Sequence, residues 1–123
     1  MTSADILKIY DEEMRQRVTK LRLALSLVGS IDAKSRAAAL YDAHLQAHTI
    51  KGTSEQLGFA EVALLASRMV EALEAAREAG SLASSAATGI DRGANAIIAW
   101  LDGGRKTIRP LTIATAAFAL GDT

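Results

Sequence analysis

The stretch HTIKGTS at positions 48–54, followed directly by EQLGF, sets one histidine beside a lysine three residues on and a glycine four residues on. On a helix that spacing gathers His48, Lys51 and Gly52 onto one face. The chemistry such a group offers is that of an imidazole nucleophile beside a cation. A neutral imidazole, whose unperturbed pKa lies near ~6.5, is a competent nucleophile at neutral pH. A flexible ammonium one turn away can approach an anionic group that the imidazole attacks, and the charge that develops there. Lys51 by itself says little, since a solvated lysine paired with Glu55 at i+4 fits the same spacing. Gly52 says more, because glycine inside a helix costs about 1 kcal/mol against alanine. A kink or a close-packed neighbour would account for it, but its outward angle near His48 favours clearance for an approaching partner.

Eight positions in register, His48, Ile50, Lys51, Gly52, Thr53, Ser54, Leu57 and Gly58, resemble the signature of histidine-containing phosphotransfer (HPt) domains of two-component signalling. The resemblance implies a four-helix bundle and a phosphocarrier without kinase activity of its own. His48 is then the phosphoacceptor, passing the group between receiver-domain aspartates, and Lys51 stabilises phosphoryl charge. The implied partners are response-regulator receiver domains and a hybrid or chemotaxis-type histidine kinase. The chain needs no cofactor, and Mg²⁺ comes with the partner receiver domain. Two departures are minor: Phe59 stands where the family often has a smaller residue, and threonine follows Gly52 where serine is common. A close variant is the phosphoacceptor domain of a chemotaxis-type kinase, which a continuation past residue 123 would favour. A non-catalytic helical adaptor is an alternative of another class.

Placing His48 at zero and stepping about 100° per residue, Leu40, Ala43, Ala47, Ile50, Ser54 and Leu57 fall together at roughly 180° to 280°, the core face. Tyr41, His44, Lys51, Gly52 and Glu55 lie within about 60° of His48, with Leu45 at the border and Gln56 on the flank near about 80°. His48 is therefore expected at the centre of an exposed face, with Tyr41, His44, Leu45, Gly52, Glu55 and Gln56 forming a partner-docking surface around it. Gln56 has the reach to orient the imidazole by a hydrogen bond, although a solvated glutamine fits equally. Ser54 points inward, suited to close packing or to bonding a preceding carbonyl. His44 and His48 at i, i+4 would suit two ligands of a metal site, but no further histidine and no cysteine follows, so no metal site is expected.

The elements that must position these residues read as helices throughout. Leu7, Tyr10, Met14, Val18, Leu21, Leu25 and Val28 recur at steps of three or four, predicting a helix over 4–28 with Ser3 as its cap. Asp32 caps a second, over 33–57, with Gly58 as its stop. A third, over 60–79, turns Val62, Leu65, Met69 and Leu73 inward and ends at Gly80. After an ambiguous small-residue stretch, a fourth over 84–102 presents Ile90, Ala94, Ile97 and Leu101. Short connections favour antiparallel neighbours, hence an all-α, up-down-up-down four-helix bundle. In the 105–123 tail, Pro110 interrupts any continuing helix and LTIATAAFAL is apolar, which suggests a short fifth helix packed on the bundle, with a strand or a partner-binding peptide as the alternatives.

Composition excludes several classes. A chain of 123 residues is expected to form one domain with one continuous core. With 14 basic and 14 acidic residues, a nucleic-acid or anionic-membrane partner is not suggested. There is no cysteine, so thiol and disulfide chemistry is absent. No GxxxxGK[ST] loop is present, so ATP must be handled elsewhere. The N-terminus lacks a basic region followed by an apolar run, and no stretch approaches the roughly 20 apolar residues of a membrane span. A cytoplasmic monomer is expected.

Overall fold

A computed structural model of the protein describes residues 2–104, and the suggested fifth helix lies outside the described residues. The described chain forms four helices, α1 (Ser3–Leu27), α2 (Ala33–Gln56), α3 (Ala60–Ala79) and α4 (Ser84–Asp102). The cap of α1 is Thr2, not Ser3. The Thr2 side chain accepts from the Asp5 N–H while the Asp5 carboxylate accepts from the Thr2 backbone, a reciprocal pair that satisfies two otherwise orphaned donors. Asp32 caps α2 as its sequence position suggests, accepting from the N–H groups of Lys34 and Ser35. The turns after α2 and α3 pass through left-handed backbone at Gly58 (φ 79°) and Gly80 (φ 75°), which residues with a β-carbon adopt only under strain.

Cross-helix partners give the topology. Tyr10 meets Ser54 and Arg17 meets Gln46 between α1 and α2. His44 meets Glu74 between α2 and α3, and Arg15 and Arg22 reach Asp102 and Asp91 between α1 and α4. Tyr41 meets Arg77 in the α2/α3 seam as well, so in these three seams the numbers rise on one helix as they fall on the other and the neighbours run antiparallel. The diagonal pairs α1/α3 and α2/α4 make no backbone approach among the described residues. This is an all-α four-helix bundle, up-down-up-down.

Its core is built from small and aliphatic side chains, as the low aromatic content requires. Leu40, Ala43, Ala47 and Ile50 of α2, Val62, Leu65, Met69 and Leu73 of α3, and Ile90, Ala94, Ile97 and Leu101 of α4 are all buried. The close approach of α4 to α3 depends on Gly93, where a β-carbon would stand 3.0 Å from the Met69 sulfur. At one end of the bundle, Tyr10, Phe59 and Trp100 pack ring on ring, with centroids 4.9 to 6.2 Å apart. Phe59, the departure from the family pattern, thereby closes that end. Leu57 does not join the core. The helix stops at Gln56, Leu57 becomes its C-cap, and its side chain is 38% exposed.

Candidate functional site

The outward face of α2 is arranged as the helical spacing dictates. His48 is exposed near the middle of the helix, Lys51 and Gly52 are half-buried one turn on, and Tyr41, Leu45, Glu55 and Gln56 are exposed around them. A β-carbon at Gly52 would meet nothing within 4 Å. The space over that position is open, and the glycine is not there to admit a neighbouring side chain. Gly52 sits inside α2, four residues before its last, and the helix runs through it without a break.

Lys51 and Glu55 enter no ion pair among the described residues. The i+4 pair that would have made Lys51 an ordinary surface lysine is therefore not formed. Gln56 makes no hydrogen bond to His48.

His44 is held more firmly than its place on a docking rim implies. Its Nε2 lies 3.3 Å from Glu74 Oε1 on α3, and its side chain retains only 17% exposure. Its ring centroid is 6.1 Å from that of His48. One turn earlier, the Arg77 guanidinium of α3 lies 5.1 Å over the Tyr41 ring, a cation–π contact. Despite the nearby Glu74, no group of three or more metal-ligating side chains exists among the described residues.

On its other flank α2 is fastened to α1. Ser54 does point inward, but it bonds the Tyr10 hydroxyl at 2.8 Å, not a preceding carbonyl, and both groups are buried. Gln46, which the angular reading passed over, is 4% exposed. It accepts from Arg17 Nη1 at 3.1 Å and donates to Asp42 at 3.3 Å, while Arg17 also pairs with Glu13. Its polarity hid it from a search for apolar periodicity. The signal that would have found it is its angle, about 160° from His48.

A family model described as the Hpt domain matches residues 5–101, which covers all four helices up to the last turn of α4. The chain belongs to the Hpt-domain family. Domains of this family carry phosphoryl groups in two-component signalling without kinase activity of their own, and they interact with receiver domains and kinases. Comparison with curated proteins, and with solved structures, gives no match. No described helix is long and apolar enough to cross a membrane.

Proposed function

We propose that this protein relays a phosphoryl group between receiver-domain aspartates through a phosphohistidine at His48. The observation that carries this is the open face itself: an exposed imidazole, an ammonium one turn away with no carboxylate partner among the described residues, and free space over Gly52. In the forward step the lone pair of the unprotonated imidazole nitrogen attacks the aspartyl phosphate. The P–O bond of the mixed anhydride breaks, its electron pair returns to the aspartate carboxylate, and the proton on the other ring nitrogen is released to solvent. The reverse step restores the anhydride on the next receiver. Lys51 lies close enough to offset charge on the transferring group. Mg²⁺ is supplied by the receiver, and the chain itself acts as a cytoplasmic monomer. Tyr41, His44, Leu45, Gly52, Glu55 and Gln56 form the docking rim.

Incubation with a phosphorylated receiver domain tests the reading. Wild-type protein acquires acid-labile, alkali-stable label, and His48→Ala acquires none while keeping its helical content. His44→Ala keeps most of it, and Lys51→Ala labels about one to two powers of ten more slowly. A folded His44→Ala protein that takes up no label would overturn the assignment of a single nucleophile. Absence of label on wild type from every receiver would leave the chain an adaptor.

A further inference from the structure

Seven residues before His48, on the same side of α2, Tyr41 opens onto a groove of about 610 Å³ between the start of α2 and the end of α3. Its floor is small, from Ala33, Ala37, Ala38 and Ala79, and two guanidiniums line it, Arg36 and Arg77. The Arg77 guanidinium carbon lies 5.1 Å from the centroid of the Tyr41 ring. A guanidinium held over a ring by a cation–π contact has less rotamer freedom left to lose when it makes a two-point grip on a carboxylate. Neither arginine is in an ion pair among the described residues. Arg36 spends one nitrogen on the carbonyls of Ser30 and Ile31. Glu74, one turn before Arg77 on α3, is taken up by His44.

The groove also lies within reach of whatever docks at His48. Seven residues of helix span about 10.5 Å. A standard protein interface covers about 800 Å² on each partner, equivalent to a disc of about 16 Å radius. A partner seated on His48 with an ordinary footprint therefore covers Tyr41 and Arg77 as well.

We infer that Arg77, held over Tyr41 by a cation–π contact and backed by Arg36, is a specificity contact of the relay: it grips an acidic side chain on the docking surface of the cognate receiver domain, beside a small apolar side chain seated on the alanine floor. The inference rests on the relay reading of His48. Charge at such a position acts on encounter and orientation, so it moves the association step and its salt dependence, not the chemistry at the imidazole.

The test uses the full chain, with two phosphodonors. One is the receiver domain, from the same genome, that labels wild type fastest after charging with acetyl phosphate and Mg²⁺. The other is phosphoramidate, a donor too small to touch the groove. Arg77→Glu is expected to lower kcat/KM for transfer from the receiver about tenfold at low salt, with kcat at saturation unchanged and the defect shrinking as salt is raised. Arg77→Lys restores part of the rate, and labelling by phosphoramidate is the same in all three proteins. Unchanged receiver transfer in Arg77→Glu overturns the inference, as does an equal loss with both donors, which would place the effect at His48 or in folding. A wild-type chain labelled by neither donor sinks the relay reading and the inference with it, an outcome distinct from the first two because it appears before any substitution is made.

Discussion

Along its α1 flank α2 is joined by the buried Tyr10–Ser54 hydrogen bond, between residues 2% and 0% exposed, and by the part-buried bond from Arg17 onto the buried Gln46. Along its α3 flank the ties are of another kind. His44–Glu74 has a carboxylate side chain 59% in solvent, and Arg77 rests on a Tyr41 that is itself more than half exposed. Breaking a buried hydrogen bond strands a polar group, whereas breaking an exposed pair hands both partners to water. The first flank fixes the register of the helix that bears the histidine. The second can be rearranged at little cost, and it is the one on which the proposed docking face opens. A relay needs both properties in one helix, since the nucleophile must be held while its surroundings adapt to more than one partner.

The strongest challenge to this contrast is Tyr10→Phe. Removing the hydroxyl leaves Ser54 Oγ buried without that partner, a loss expected at about 1–3 kcal/mol. For a domain of this size each kcal/mol lowers Tm by roughly 4–8 °C. Thermal melts read it directly, and saturating transfer per folded molecule should hold. A shift under a degree would mean that the α1 flank is no firmer than the α3 flank.

Gly52 carries a smaller effect on stability and separates it from function. Gly52→Ala should raise stability by up to about 1 kcal/mol, because the backbone there is ordinary helix and the added carbon meets nothing. Gly52→Gln should also melt no lower than wild type, yet slow transfer from a receiver sharply. Intact transfer with glutamine at 52 would move the docking face elsewhere on the bundle.

The smallest effect belongs to the α3 flank. A double-mutant cycle on His44→Ala and Glu74→Ala should return a coupling of about 0.2–1 kcal/mol, most of it lost in 1 M salt, where the Debye length falls to about 3 Å. A salt-insensitive coupling equal to that of Tyr10 with Ser54 would erase the distinction between the flanks.

The fold was largely legible because a two-sided helix writes its periodicity into the chain: all four residues assigned inward on α3, and all four on α4, are buried. The exposed setting of His48 and the open space over Gly52 follow from the same angles. Two kinds of feature escaped. At helix ends, angular reasoning assumes that the helix continues, so Leu57 was placed inward although the last turn stops before it, and Ser3 was read as the cap although Asp5 answers Thr2. Across seams, the partner of a side chain depends on the register between helices, which no local pattern carries. Gln46 with Arg17, His44 with Glu74 and Tyr41 with Arg77 are separated by 29 to 36 positions in the sequence and became visible only once the helices were packed.

The ring cluster at the end of the bundle makes the chain its own optical probe. Trp100 is the sole tryptophan, 8% exposed, set edge-on to Phe59 and Tyr10. A shielded indole emits to the blue of a solvated one, and Tyr10 at 6.2 Å can pass its excitation to it. Trp100 touches α2 only through Tyr10 and Phe59, α4 itself making no backbone approach to α2 among the described residues, so that emission reads the opening of the bundle. Unfolding and phosphoryl transfer can thus be recorded in one cuvette, the first by intrinsic fluorescence and the second by label, without attaching a dye.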